Sequence, residues 1–532
     1  MSVPFVIVGS GPAGVSAAFS LLRKGLPVTM LDVGYRLEPE TQQLVDRLAS
    51  ASSDRWHDQD LNTLRSGSSP NTKGLERKLV YGSSYPYQVP EHLVVYEQRG
   101  ADTLASHALG GLSNAWGANA LPFVDSDIAD WPIAAADLEA YYRAIFTFVD
   151  LSAQEDQLAG RFPLYTDRAR PLRPSRQAKA MMADLDRHRG ALARHGLTYG
   201  FSRLAVRTEP RNGDPGCVYC GLCLYGCPYG LIYSSAHSLP ELQAFANFQY
   251  VPGVYVDRIE ESLDGVAVHV RPVDGGPPET IAAERVFLGC GAYSTTKIVL
   301  ESLGAQEHEI LVRDSQYFLA PMLRFGGMSG VDREPLHTLS QLCLELDDRA
   351  ISDHPVHILI YTYNDLYTRM LQKMAGPLYR TMRPVIDRLL SRLIILQGYL
   401  HSDDSPSVAM RIERRAGSKE TRVVLEGRPN PRTAAAVSGV MAKLRQVSGS
   451  LRGFVVPFMT QVAPPGKSYH VGASLPMKRS PADFECDTLG RPHGLARTHV
   501  IDASCFTSIP AVNLTLTVMA NAYRIADQGA DQ

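Results

Sequence analysis

The sequence predicts an α/β fold whose first unit is Rossmann-like, and three adjacent observations predict it. Phe5-Val6-Ile7-Val8 is a short continuous apolar run, the pattern of a strand buried on both faces in a parallel sheet. Gly9-Ser10-Gly11-Pro12-Ala13-Gly14 follows without a gap and opens an Ala- and Leu-rich stretch, Val15 to Lys24, that reads as a helix closed by Gly25. Pro27 to Leu31 is a second apolar strand and leads into Asp32, about twenty residues past the glycines. Strand, glycines, helix, strand and acid stand in the order a dinucleotide-binding βαβ unit requires.

Each position has a mechanical reason. Gly9 permits the tight turn, Gly11 lets the backbone approach a pyrophosphate, and Gly14 lets the helix pack on the strand. Pro12 and Ala13 begin the helix, whose free N–H groups and positive dipole end face the phosphates. The Asp32 carboxylate accepts from a ribose 2′-OH and repels a 2′-phosphate. This motif does not separate FAD from NAD.

Composition narrows the classes further. With 53 basic and 55 acidic residues the net charge is −2, which argues against a nucleic-acid binder. At 45% apolar and 20% charged, the 532 residues are ordinary for a globular protein, and length alone allows about three to five domains. No apolar run approaches about 18 residues, so a transmembrane helix is not expected. No charged leader precedes the first apolar run, so the expected location is cytoplasmic.

The last seventy residues hold Tyr469-His470-Val471-Gly472, then His499-Val500-Ile501-Asp502-Ala503-Ser504, then Pro510-Ala511-Val512-Asn513-Leu514-Thr515-Leu516-Thr517 running into a final helix. This arrangement resembles the C-terminal signature of the glucose–methanol–choline (GMC) oxidoreductase family, with Leu514 where a Pro is usual. Gly110-Gly111-Leu112-Ser113-Asn114-Ala115-Trp116-Gly117 is similar to the family's second flavin-contacting loop. Arg285 to Ala292, with Tyr293 to Thr296 after it, is similar to the strand and turn near the flavin's adenosine half. The resemblance implies FAD, contacted by Gly9, Gly11, Pro12, Ala13, Gly14, Asp32, Gly110, Gly111, Ser113, Asn114, Trp116, Gly117, Gly291, Ala292, Asp502, Ala503, Asn513 and Thr515. Some members attach FAD through a His in the second loop. Ala115 stands there in this chain, so non-covalent FAD is expected.

The resemblance also implies chemistry: oxidation of a CH–OH group, in an alcohol or sugar, by hydride transfer to the flavin. His470 occupies the position of the catalytic His and is expected to take the hydroxyl proton, a task imidazole suits. Asn513 occupies the second catalytic position, where its amide donates to the substrate oxygen as charge develops. Asn513 also has the residue type of a helix cap. Two rivals stand beside this reading: a redox-neutral flavoprotein lyase of the hydroxynitrile-lyase type, and an electron-transfer subunit. The intact glycines, His470 and Asn513 speak against the second.

Of eight cysteines, Cys217, Cys220, Cys223 and Cys227 fall in eleven residues and are followed by Pro228. The C-x2-C-x2-C-x3-C-P spacing is that of a bacterial ferredoxin run, where several thiolates converge on one cluster. A single iron–sulfur cluster, [4Fe-4S] or [3Fe-4S], would use all four, or three plus a distant residue such as Cys486. A metal-free structural loop and a zinc site are the other two readings. With a cluster, electrons pass to an external carrier, an acceptor protein among the candidates; without one, dioxygen becomes a plausible acceptor.

The expected architecture is α/β, α+β overall. It has a discontinuous FAD domain (1–130, 205–310 and 466–532, with the Cys-rich loop at 216–230) of the Rossmann-like GMC type. The substrate domain (131–204 and 311–465) is built on a mostly antiparallel sheet plus helices. Leu138 to Phe146 and Ala178 to Gly190 read as helices and Val356 to Tyr361 as a strand. Leu366 to Tyr399 alternates apolar with basic residues (Arg369, Lys373, Arg380, Arg383, Arg388, Arg392). It is either a membrane-surface helix or, the reading preferred here, a helical excursion packed on the domain or docking a partner. Pro377 and Pro384 are expected to break it. Substrate identity stays open among sugars, amino sugars, sterols and long-chain alcohols.

Overall fold

A computed structural model describes residues 3–67, 77–211, 213, 215–305, 308–413 and 421–531. The strand Val3–Val8 lies between Val28–Leu31 and Glu279–Leu288, parallel to both. Phe248–Val251 extends the parallel set on one side and Thr498–Val500 on the other. Residues from the start, middle and end of the chain thus sit in adjacent strands. The two remaining strands of this seven-stranded sheet, Val254–Ser262 and Gly265–Pro272, add an antiparallel ribbon. Val6, Ile7, Met30 and Leu31 are wholly buried, as strands covered on both faces require.

The first helix runs Pro12–Arg23, three residues ahead of the expected Val15, because the fixed φ of Pro12 suits the first helical turn. It packs along the final helix, Thr515–Gly529. The stretch expected as one helix over 178–190 forms two, Arg176–Arg187 and Arg189–Arg194; the Ser175 side chain caps the first by accepting from the Ala178 N–H. Val356–Tyr361 is a strand as expected.

The second sheet is antiparallel throughout: Gly453–Val455, Tyr317–Arg324, Leu393–Tyr399, Val356–Tyr361, Leu342–Leu346 and Leu197–Phe201 in that order, with Gln461–Val462 beside Tyr317–Arg324. Its two faces differ by the period of two. Leu342, Leu344, Ile358, Ile360, Ile394 and Leu396 pack on the helices Arg176–Arg187 and Pro431–Gln446. Cys343, Leu359, Tyr317 and Tyr399 belong instead to the core shared with the first sheet. A third sheet joins Val471–Gly472, Ile310–Asp314, Ser407–Glu413, Thr421–Arg428 and Val94–Arg99. Nothing in the sequence marks these strands as neighbours, because they lie far apart in the chain and only Val471–Gly472 belongs to a motif.

Pro377 falls in the turn Gly376–Leu378, between the helices Asp365–Ala375 and Tyr379–Leu390. Pro384 does not break the second of these as expected. It sits inside the helix on the exposed side, where water can serve the carbonyl that loses its N–H partner. Among the described residues no helix is long and apolar enough to cross a membrane.

Candidate active site

The first glycine loop is built as its spacing demands. Gly9 has φ +96°, and a Cβ there would meet the Gly289 carbonyl at 2.7 Å; a Cβ at Gly14 would lie 1.9 Å from the Gly9 carbonyl. Around Gly11 the backbone stays open, with the nearest atom to an added Cβ at 3.9 Å. No side chain caps the helix that starts at Pro12, and no acid stands in its first turn. Its first N–H groups are thus left for an anion.

The second glycine loop closes against the first. Ser10 Oγ accepts from the Gly110 N–H (3.0 Å), and an added Cβ on Gly111 would lie 3.5 Å from Gly11 Cα. Ser10 also donates to Asp32, as does the Tyr250 hydroxyl at 3.0 Å. Burial raises the Asp32 pKa to about 6 while these donors pull it back. Ser113 and Asn114 turn inward onto the loop. Ser113 Oγ donates to the Gly110 carbonyl, and Asn114 Nδ2 reaches the Leu109 and Gly111 carbonyls at 2.8 Å. Trp116 Nε1 donates to the Tyr233 carbonyl at 2.7 Å, which fixes the ring.

Asp502 ties two predicted motifs together. Its Oδ2 accepts from the Gly291 N–H (2.8 Å) and Thr295 Oγ1 (2.5 Å); its Oδ1 accepts from the Ser504 N–H (2.9 Å) and Ser504 Oγ (2.6 Å). The turn Gly291–Ala292 and the segment from Asp502 through Ala503 are thus one rigid wall. An added Cβ at Gly291 would meet nothing within 4 Å, so space remains beside that wall. The open space at Gly11 and Gly291, the uncapped helix start and the buried acid fit an FAD of the kind that GMC oxidoreductases bind.

His470 and Asn513, 43 residues apart, meet: Asn513 Nδ2 lies 3.2 Å from His470 Nε2. The amide nitrogen can only donate, so Nε2 is the bare nitrogen and Nδ1 carries the proton. Burial pushes the His470 pKa down to about 3, with His357 nearby as the lesser cause. Tyr399 stacks on the imidazole, ring centroids 4.7 Å apart. Behind it, Asp314 accepts from Ser468 Oγ and from the Gly466 N–H (2.7 Å), and Ser468 Oγ accepts from the His470 N–H (2.9 Å). Tyr469 (φ +61°) and Ala473 (φ +52°) hold left-handed backbone on either side, a strain characteristic of functional loops. His470 Nδ1 and Asn513 Oδ1 are buried with no partner among the described residues. Asn513 does not cap the final helix, which starts at Thr515 with no side-chain cap.

Tyr399, His357 and Glu345 escaped the sequence reading. They form one cross-strand row of the second sheet, and His357 Nδ1 bonds Glu345. Only the alternation within each strand marks which residues share that face, and no motif marks the strands as neighbours.

The four clustered cysteines line one cavity with Tyr219, Tyr229 and His337. All four are free thiols. Burial raises Cys217 and Cys220 to about 12 and Cys227 to about 11, with the neighbouring thiols adding to it. Buried Cys486, the distant candidate, lies elsewhere, beside Cys505. Among the described residues no three of the sulfurs come within 4.8 Å of one another, whereas tetrahedral zinc at about 2.3 Å per sulfur needs separations of about 3.8 Å. Lys78 reaches the Trp116 carbonyl (3.1 Å) and lies close enough to Cys223 and Cys227 for their charges to act on it. His354, His401 and Asp403 do converge within 4.8 Å. However, Arg313 pairs with the same carboxylate at 3.0 Å, and His401 Nδ1 accepts the Asp403 N–H, so the trio is already an internal ion-pair network.

Residues 411–522 match the sequence profile of the GMC oxidoreductase family. Over this C-terminal stretch the chain is similar to the GMC oxidoreductases, the class whose signature its last seventy residues resemble. It is 23% identical to 6'''-hydroxyparomomycin C oxidase of Streptomyces lividus, over 97% of this chain and 89% of that one. It is 22% identical to paromamine 6'-oxidase of Streptomyces fradiae, over 98% and 90%. Its fold matches the crystal structure of pyridoxine 4-oxidase from Mesorbium loti with a TM-score of 0.59, covering 99% of both chains at 13% identity.

Proposed function

We propose that this protein oxidises the hydroxyl of a sugar- or amino-sugar-type alcohol to a carbonyl, using non-covalent FAD. The observation that carries the reading is the 3.2 Å approach of Asn513 Nδ2 to His470 Nε2, beside the Tyr399 ring. An alcohol oxygen entering between them takes the place of the Asn513–His470 hydrogen bond: it donates its proton to the freed Nε2 lone pair and accepts from Nδ2. Bound FAD supplies the acceptor for the hydride leaving the carbinol carbon. A base held near pKa 3 does not strip a resting alcohol; it takes the proton as the hydride departs and the hydroxyl becomes strongly acidic. The relatives' names, a hydroxyparomomycin oxidase and a paromamine oxidase, support the amino-sugar end of that substrate range.

The loops around Gly9–Gly14, Gly110–Gly117, Gly291–Ala292 and Asp502–Thr515 are proposed as the FAD cradle. The two-domain division at 1–130, 205–310 and 466–532 against 131–204 and 311–465 is proposed with it. The second sheet supports that division, since its strands come from residues 197–201 and 317–462.

A second element concerns where electrons go. Four thiols around one cavity in C-x2-C-x2-C-x3-C spacing, with Lys78 between them and the Trp116 loop, support the reading of an iron–sulfur cluster on Cys217, Cys220, Cys223 and Cys227. The test is anaerobic bleaching of bound FAD across sugars, amino sugars, sterols and long-chain alcohols. Bleaching by sugars or amino sugars is expected, and bleaching by none of the four contradicts the reading. Iron, sulfide and an EPR signal in anaerobically purified protein are expected of the cluster; their absence removes it and leaves a structural loop.

A further inference from the structure

We infer that the helical hairpin over residues 365–390 is a docking surface for an anionic lipid membrane. Its inner side is fully used. Tyr367, Leu371, Tyr379, Ile386 and Leu390 pack on Val331, Leu336 and Tyr363. The outer side is apolar without cover: Leu366, Met370, Met374, Leu378, Met382 and Val385 are all exposed, Met374 at 75% and Val385 at 66%. Scattered single exposures are ordinary on a protein surface, but six on one 26-residue excursion form a patch that calls for a partner.

Charge selects the partner. Residues 365–390 hold five basic and two acidic side chains in a chain whose net charge is −2. Among the described residues, Lys373, Arg380 and Arg388 have no ion pair, and Arg383 reaches Asp332 only at 3.7 Å and Asp387 at 3.6 Å. Large apolar side chains interleaved with unpaired cations are the composition of an interfacial helix, where each Lys or Arg near an anionic surface adds attraction. A second copy of this chain fits poorly. A two-fold contact sets the same patch against itself and brings like charges together. The hairpin is rooted beside the cysteine loop: Arg369 lies 5.7 Å over the Tyr225 ring and Asp365 pairs with Arg65.

The inference is independent of the catalytic reading, and its test uses the full chain with its flavin. The protein is sedimented with vesicles of phosphatidylcholine, with and without phosphatidylglycerol. Wild type is expected to pellet with the anionic vesicles and to be released by high salt. The variants Met374→Glu with Leu378→Glu, and Lys373→Glu with Arg380→Glu, are expected to bind about tenfold more weakly or worse. Their flavin spectrum and Tm should be unchanged, since all four residues are exposed. Failure of wild type to bind anionic vesicles overturns the inference, as do variants that bind like wild type. A dimer that Met374→Glu dissociates, without vesicle binding, also overturns it and assigns the patch to a second copy.

Discussion

His470 is useful because of what surrounds it. Tyr399 covers one face, Asn513 donates to Nε2, and burial keeps the ring neutral with a pKa near 3. The sign of its pH dependence follows. A histidine of ordinary affinity titrates near pH 6.5; this one stays unprotonated through that range. The kcat/KM for alcohol oxidation is therefore expected to show no acidic limb near pH 6.5, and a limb there in the pH–rate profile contradicts the assignment. Asn513→Ala removes the proposed donor to the substrate oxygen. It is expected to slow flavin reduction by about 10²–10³-fold, the usual cost of an oxyanion-type donor, with bound FAD unchanged, as read by stopped-flow absorbance.

Elements hold these residues in place, and their legibility in the sequence differs sharply. The Gly466–His470 loop hangs on Asp314, which accepts from the Gly466 N–H and Ser468 Oγ. Asp314→Ala leaves both donors without their buried acceptor, which costs about 1–3 kcal/mol. Thermal melts should show a lower Tm, and flavin reduction should slow while FAD stays bound. Gly14 is stricter still: with a Cβ 1.9 Å from the Gly9 carbonyl, Gly14→Ala should yield protein that purifies without flavin colour. That loop was legible from sequence alone because backbone geometry permits one residue type there. The final segment was picked out by its resemblance to the GMC signature, and the fold brings His470 to Asn513 and Asp502 to the Gly291 N–H. Asp314 and Tyr399 were not. They sit on ordinary alternating strands, and their importance comes from pairing with segments scores of residues away. Pro384 misled in the opposite sense, because the local rule assumes a helix interior and this helix has its proline on the solvent side.

At the scale of the whole molecule, the parallel sheet joins strands from residue 3 to residue 500, so the chain folds as a long-range assembly. Buried titratable groups then govern its acid stability. His107, His337, His401, His470 and His499 all have pKa values lowered to about 3 or 4 by burial. In the unfolded chain they bind protons near pH 6.5, so between those values the unfolded state holds more protons and stability falls as pH falls. Asp32, Asp127 and Asp314, raised to about 6, act the other way below that pH, but are fewer. Tm is therefore expected to drop between pH 7 and pH 5 in differential scanning fluorimetry, and a flat or rising Tm contradicts this balance.

In the proposed reaction His470, brought to Asn513 by the fold, takes the substrate's proton as the hydride leaves. The most direct measurement is the anaerobic rate of flavin bleaching by an oxidisable amino-sugar alcohol, in wild type and in His470→Ala with its FAD spectrum intact. A fall of about 10²–10⁴-fold is expected in the variant, the range for loss of a general base. Bleaching at the wild-type rate would contradict it.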